Sequence, residues 1–176
     1  MPGSPAHLIR RFFDVARARP LSSAERAEVA GRLTDDLTTL FFDQPGCDQR
    51  HGYQAALSVV ADGVTDNGVI VAALMHDVGK RHSRLGLIGR SVASVMILMR
   101  LSRLPDRVAA YRDHGVTGAR DLGRAGAPAL AIDFALHHHG RRPPSIAPDT
   151  WKVLVKADEP AKTSGLRQSR ITSADT

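Results

Sequence analysis

Apolar residues in this chain recur at helical spacing, and this feature restricts the fold more than any other. No segment shows the alternating pattern, rich in β-branched residues, that is typical of strands. In the clearest stretch, from Arg84 to Leu104, apolar side chains recur at steps of three and four residues, as on one face of an amphipathic helix: Leu85, Ile88, Val92, Val95, Met96 and Met99. We therefore predict an all-α fold, a bundle of roughly seven to nine helices.

Capping and breaking residues divide the chain into helices. Ser22-Ser-Ala-Glu25 is a capping box that predicts a helix to about Phe42, and Pro45-Gly46 breaks the chain after it. Further helices are expected to begin near Asp48, Asp66, Arg84, Pro105, Gly115, Pro128 and Asp149. These signals predict an N-terminal helical extension at 1–46, a helical domain at 47–163 and, where the residues become small and polar, a flexible tail at 164–176.

Composition narrows the class of protein. A chain of 176 residues with 43% hydrophobic and 24% charged residues is typical of one soluble domain. Its single cysteine, Cys47, excludes an internal disulfide and a four-thiolate zinc site, and it suits a reducing cytosol. Arg10-Arg11 interrupts any N-terminal signal core, and the apolar run Val92–Met99 is too short to span a bilayer. We expect a cytoplasmic protein without a membrane span.

The net charge of +6 comes mostly from arginine, which supplies 20 of the 24 basic residues. Guanidinium groups bind phosphate bidentately, so a nucleotide partner is one interpretation, and an arginine-rich codon usage is the other. The arginines are scattered and form no stripe that would indicate a nucleic-acid interface.

For the apolar stripe from Leu85 to Met99 we predict core packing or a homodimer contact. A membrane-surface or partner-binding helix is the alternative, because Arg90, Arg100 and Arg103 flank the stripe.

Histidine and aspartate recur at positions that have apolar residues behind them. His51 shares a helical face with Ala55 and Val59, and His76 follows Val69 and Ala73 at similar spacing. Asp77 and Asp158 are likewise expected on inward faces. A buried carboxylate is unfavourable by several kcal/mol unless it is paired or coordinates a metal. Imidazole and carboxylate ligands together suit Mn, Fe, Co, Ni or Zn.

The run His137-His138-His139 adds further donors, and His114 stands alone upstream of it. Consecutive helical residues point 100° apart, so all three histidines cannot face one site. We predict that His138 points inward, with either His137 or His139 as a second ligand.

The segment Ala72-Ala-Leu-Met-His76-Asp77-Val-Gly-Lys80 resembles the signature of the HD superfamily of metal-dependent phosphohydrolases. His51 and Asp158 match that superfamily's upstream histidine and downstream aspartate, while His114 and His138 match the extra histidines of its two-metal members. The layout is most similar to the small bacterial diadenosine-tetraphosphate hydrolases. It departs from them at His139-Gly140, where those enzymes usually have threonine near a glycine.

The resemblance implies an HD-type metal-binding domain with two divalent transition metals per chain. One metal would be held by His51, His76, Asp77 and Asp158, and the other by His114 and His138, with Asp77 shared. It further implies that a metal-bound hydroxide hydrolyses a phosphate ester or anhydride of a nucleotide-like substrate. Two non-hydrolase alternatives stay open: a di-iron oxygenase of the same superfamily, and a non-catalytic nucleotide-binding HD domain.

Four basic residues that flank the predicted metal ligands in the sequence are the predicted substrate contacts, and surface solvation is the alternative role for each arginine. The predicted catalytic residues are Asp77 and Lys80. Lys80 follows Asp77 closely and is placed to meet a phosphate oxygen. Its alternative role is a solvated cation at a helix C-terminus. The predicted substrate-binding residues are Lys80, Arg81, Arg84 and Arg141.

Overall fold

The computed structural model describes residues 19–159 and Ile171, and all regular structure in that part of the chain is helical. The predicted all-α fold is confirmed. A 3-10 helix, Val78–Ser83, accompanies nine α-helices: α1 Ser23–Ala30, α2 Asp35–Phe42, α3 Gly46–Ala61, α4 Asn67–Met75, α5 Leu87–Leu98, α6 Asp106–Arg112, α7 His114–Arg124, α8 Ala129–His137 and α9 Pro148–Asp158.

Helix α4 is the centre of the bundle. Every residue from Val69 to Met75 is buried, which is typical of a helix that is apolar on all sides. Helices α3, α8 and α9 pack around it, and α7 packs against both α8 and the 3-10 helix. Because α4 ends directly before His76, the His76-Asp77 pair lies at the C-terminal end of the most buried helix.

The N-terminal segment forms two helices, so the predicted single helix from Ser22 to Phe42 is wrong. The capping box itself is confirmed, since Ser22 Oγ accepts from the Glu25 N–H at 3.3 Å and Glu25 accepts from the Ser22 N–H at 2.7 Å. The first helix ends at Gly31, a residue that is unfavourable inside a helix by about 1 kcal/mol. Thr34 has an extended backbone and is the N-cap residue of α2. The first turn of α2 carries two acidic residues, which interact favourably with the helix dipole.

Side chains of the predicted N-terminal extension enter the same core as the rest of the described chain. Val29, Leu37 and Phe41 are buried, and Arg50 on α3 donates to both Glu25 carboxylate oxygens at 2.6 and 2.8 Å. The predicted flexible tail falls outside the described residues except for Ile171. That residue is buried; its N–H donates to Glu28 at 3.3 Å and its carbonyl accepts from Arg32 at 2.6 Å.

Few described side chains of helix α5 are buried against the bundle. Arg90 and Ala93 are buried, whereas four members of the predicted apolar stripe are exposed: Ile88, Val92, Val95 and Met99. Of the two predicted roles for this stripe, core packing is therefore wrong for these four residues, and the homodimer contact stays a prediction. None of the described helices is long and apolar enough to cross a bilayer.

Candidate metal centre

Three histidines of the cluster are oriented in the same way. In each ring, Nδ1 lies within hydrogen-bond distance of the backbone carbonyl three residues earlier. A neutral imidazole has one N–H, so a ring that donates from Nδ1 leaves the Nε2 lone pair free to bind a metal. The three pairs are His76 with Ala73 at 2.9 Å, His114 with Tyr111 at 2.6 Å and His138 with Ala135 at 2.8 Å.

Helix ends bring these rings together. His76 and His138 directly follow the last residues of α4 and α8, and His114 is the first residue of α7. At such positions the ring reaches a backbone carbonyl of the preceding turn and still projects beyond the helix. The three Nε2 atoms can therefore converge although they come from the ends of three different helices.

The first group of candidate ligands is His51, His76, Asp77 and Asp158, whose ligand atoms all lie within 4.8 Å of one another. Asp158 Oδ1 is 3.0 Å from Nε2 of both His51 and His76. Asp77 Oδ2 lies 3.7 Å from His51 Nε2 and 3.5 Å from His76 Nε2. These four donors come from α3, the end of α4 and the end of α9, and together they could hold one metal ion.

The second group is Asp77, His114, His138 and His139. His114 Nε2 lies 3.3 Å from His138 Nε2 and 3.2 Å from His139 Nε2. When His114 and His138 each donate from Nδ1, their Nε2 atoms face each other as lone pairs and cannot form a hydrogen bond. A cation between them would turn this repulsion into coordination, so the close approach favours a metal site.

Asp77 joins the two groups. Its Oδ2 faces the first group and accepts a hydrogen bond from Lys80 Nζ. Its Oδ1 lies 3.4 and 3.5 Å from Nε2 of His114 and His138, yet it is buried without a hydrogen-bond partner among the described residues. An unpaired buried carboxylate oxygen is strongly unfavourable. The residues present therefore fit a divalent cation on each side of Asp77.

The electrostatics of the cluster keep both carboxylates ionised. Burial opposes ionisation, but Lys80 and His76 hold the pKa of Asp77 well below its usual range, and His76 and His51 do the same for Asp158. Burial alone would lower the pKa of His76, but Asp77 and Asp158 outweigh it and raise the pKa to about 9. Because a protonated imidazole cannot ligate through Nε2, metal binding at the first group must release this proton.

All six predicted ligands lie in the cluster: His51, His76, Asp77, His114, His138 and Asp158. Of the two histidines left open as a further ligand, His139 belongs to the second group and His137 belongs to neither. His137 is the last residue of α8, and Gly140 follows closely, as is common after a helix C-terminus. The chain thus leaves the helix before His139, whose ring can turn back toward the metal ligands.

The predicted substrate contacts lie in different surroundings. Lys80 is buried against Asp77, which contradicts the alternative of a solvated cation. The Arg81 guanidinium pairs with Asp43 and, at 2.9 Å, with Asp121. Arg81 and the exposed Arg84 line an open pocket of about 650 Å³, together with Asp43, Gln44, Pro45 and His82. Arg141 is exposed and does not line that pocket.

Comparison with known proteins leaves this geometry as the main guide to function. No family model, curated protein or solved structure matches the chain.

Proposed function

We propose that this chain is a two-metal phosphohydrolase that cleaves a phosphate ester or anhydride of a nucleotide-like substrate. The observation that carries the proposal is the position of Asp77, which presents one carboxylate oxygen to each of two histidine-rich groups of ligands. The resemblance of the His76-Asp77 segment to the HD signature supports the same reaction class.

In this proposal His51, His76, Asp77 and Asp158 would hold the first metal. His114, His138, His139 and the shared Asp77 would hold the second. The donor set suits Mn, Fe, Co, Ni or Zn. When bound, two such metals supply a hydroxide nucleophile at neutral pH and stabilise the negative charge on the phosphoryl oxygens.

The charge of the ligand set favours an anionic substrate. Only two carboxylates, Asp77 and Asp158, accompany five imidazole ligands. Two divalent cations would carry more positive charge than these carboxylates neutralise, and Lys80 adds another positive charge beside Asp77. A phosphate group carries the negative charge that such a centre attracts. The excess of histidine over carboxylate therefore supports a phosphate-containing substrate.

Lys80 has two roles in the proposal. Its ammonium donates to Asp77 Oδ2 and so orients the bridging carboxylate. An ammonium has three N–H donors, so Lys80 can also donate to a phosphoryl oxygen and offset the charge that grows there in the transition state. In the reaction a water oxygen forms the new bond to phosphorus, the bond from phosphorus to the leaving oxygen breaks, and the leaving oxygen takes up a proton.

Solvent reaches the proposed centre at three of its ligands. The side chains of His51 and Asp158 are 24% and 17% exposed, and His139 is exposed, whereas the remaining ligands are buried. A substrate would therefore approach past these three residues. Access of solvent to these ligands is what a catalytic site requires, because substrate must be able to reach the metals.

Metal content per chain tests the two-site arrangement. We expect about two metals in the wild-type chain, about one in His114→Gln and in Asp158→Asn, and markedly less than one in Asp77→Asn, because Asp77 serves both sites. His137→Gln is the matched control, since its ring lies outside both groups. One metal in the wild type, or equal loss in the control, would contradict the proposal.

Activity is then measured on the metal-loaded proteins with phosphomonoesters, phosphodiesters, nucleotides and dinucleoside polyphosphates. We expect phosphate or nucleotide release by the wild type and by His137→Gln, and at least about a hundredfold lower kcat in Asp77→Asn. Oxygen consumption by the iron-loaded chain without hydrolysis would instead identify the oxygenase alternative. Tight nucleotide binding without product would identify the non-catalytic one.

A further inference from the structure

Exposed large apolar side chains are concentrated on and just after α5. In the described part of the chain, six of them lie there: Ile88, Val92, Val95, Leu98, Met99 and Leu101. Only Val116 and Leu136 are exposed to a comparable degree elsewhere in that part. Scattered exposed apolar residues are ordinary, but a contiguous apolar patch indicates a surface that contacts another protein or a membrane.

Helix α5 directs much of its apolar surface away from the protein, and an arginine accompanies Ala93 on its buried face. The face toward the protein carries Arg90, which donates to Asp48 Oδ2 at 2.7 Å and to the Leu85 carbonyl at 3.0 Å. Ile88 and Met99, 73% and 66% exposed, mark the two ends of the opposite stripe. The stripe advances by steps of four, three and four residues, so its members share one side of the helix. Helix α5 thus contacts the protein through Ala93 and a buried ion pair, and its apolar stripe faces outward.

Three exposed arginines lie beyond the two ends of the apolar stripe or of the helix that carries it. No acidic residue occurs between Arg84 and Pro105, and the next one along the chain is the exposed Asp106. Arg84, Arg100 and Arg103 are exposed, and none of them forms an ion pair with a described residue. An apolar stripe flanked by unpaired arginines is the pattern of a helix that lies in the interface of an anionic membrane.

A second copy of the chain fits this surface poorly. An isologous dimer would place the same patch against itself, and the segment from Arg84 to Pro105 would supply no acidic residue to pair with the arginines of the other copy. Like charges brought together at an interface are unfavourable. An anionic bilayer complements both the apolar side chains and the charge. Its acyl chains can pack against the stripe, and its negatively charged headgroups can bind the guanidinium groups.

We propose that α5 binds the surface of a bilayer containing anionic phospholipid, with its axis along the membrane plane. Its 12 residues span about 18 Å, well short of the roughly 30 Å of a hydrocarbon core, so the helix lies on the membrane and does not cross it. No candidate metal ligand lies on α5, so this proposal stands independently of the proposed hydrolase activity.

Vesicle flotation with the purified full-length chain tests the proposal. We expect the chain to float with phosphatidylcholine vesicles that contain phosphatidylglycerol, to float far less with pure phosphatidylcholine, and to be released by salt. Ile88→Ser combined with Met99→Ser should weaken partitioning at least about tenfold, because both apolar side chains leave the stripe. Arg103→Gln should weaken it roughly fivefold.

Val116→Ser combined with Leu136→Ser is the matched control, since it removes two exposed apolar side chains from other helices. Circular dichroism checks that each variant keeps its helical content. Failure of the wild type to bind either vesicle, equal binding to both, or binding that the α5 variants leave unchanged would overturn the proposal. So would a dimer in sedimentation velocity that the α5 substitutions dissociate, because a second copy would then cover the stripe.

Discussion

Gly79 allows the 3-10 helix to touch the backbone of α7. A Cβ atom at Gly79 would lie 1.9 Å from the His114 carbonyl oxygen and 2.6 Å from the Gly118 nitrogen. Both atoms belong to backbone that cannot move aside without displacing α7, which begins with the ligand His114. The contact therefore sets the distance between the two sides of the candidate metal centre.

Gly79→Ala should lower the free energy of unfolding by about 3 kcal/mol or more, because the added methyl group forces two backbones apart. It should also lower metal content, since Asp77 and His114 separate. Gly86→Ala is the control: nothing lies within 4 Å of its added Cβ, and its φ of −70° suits any residue. Urea unfolding of the two variants provides the measurement. Equal stability would show that the backbones accommodate the methyl group.

Arg90 and Asp48 form a buried ion pair, with side chains 9% and 6% exposed. Arg90→Met should lower the free energy of unfolding by about 3–5 kcal/mol, since it leaves the Asp48 carboxylate buried without its partner. Adding Asp48→Asn should recover much of that loss, because the unpaired charge is removed. Chemical denaturation of both variants measures the effect. A double variant less stable than the single one would show that Asp48 is stabilised by other groups.

At the residue scale the sequence identified which side chains could bind a metal, because buried histidine and aspartate need partners. It did not decide between His137 and His139. That choice depends on where α8 ends, and helix ends are set by capping and tertiary contacts that spacing alone does not reveal. Gly140 was the available signal, since glycine commonly follows a helix C-terminus.

At the scale of elements, α1 is joined to α3 through the carboxylate of Glu25. The hydrogen bonds from Arg50 lower the pKa of Glu25 from 4.5 to about 2. A carboxyl group whose pKa is lower in the folded chain stabilises the fold above its ordinary pKa. This contribution is lost as the pH falls toward the folded value. The pair should therefore stabilise the chain fully above about pH 4.5 and progressively less between pH 4.5 and 2.

Glu25→Gln should lower stability near neutral pH and should reduce the loss of stability between pH 5 and 3, because the titrating group is gone. Thermal unfolding across this range compares it with the wild type and with Glu159→Gln, which removes an exposed carboxylate at the end of α9. The carboxylates of the metal centre are present in all three proteins. A difference between the pH profiles of stability therefore reports the contribution of Glu25. Parallel pH profiles for all three proteins would count against the Glu25 pair.

The element boundaries show where sequence patterns are informative. The wholly apolar segment of α4 and the proline-started helices were predictable, because burial on all sides and fixed φ angles leave few alternatives. The break between α1 and α2 was not, since Gly31 and Thr34 interrupt an otherwise continuous helical pattern by only small propensity differences. The outward direction of the α5 stripe could not be predicted either, because periodicity identifies an apolar face without saying what covers it.

At the scale of the whole molecule, the candidate metal centre connects helices that are distant in the chain. Its ligands extend from His51 on α3 to Asp158 on α9, and Asp77 adjoins both groups. Bound metals would therefore join α3, α4, α7, α8 and α9 at one point. A ligand that binds only the folded chain stabilises it in proportion to the logarithm of its concentration relative to Kd.

Metal removal should consequently lower the melting temperature of the whole bundle. At a free metal concentration about a thousandfold above Kd the stabilisation is about 4 kcal/mol, which corresponds to roughly 8–16 °C for a chain of this size. Scanning calorimetry with and without chelator should show this shift in the wild type and in His137→Gln, and little shift in Asp77→Asn. If chelator also lowered the melting temperature of Asp77→Asn, the stabilising metal would have to bind elsewhere. An unchanged wild-type melting temperature would mean that no tightly bound metal joins these helices.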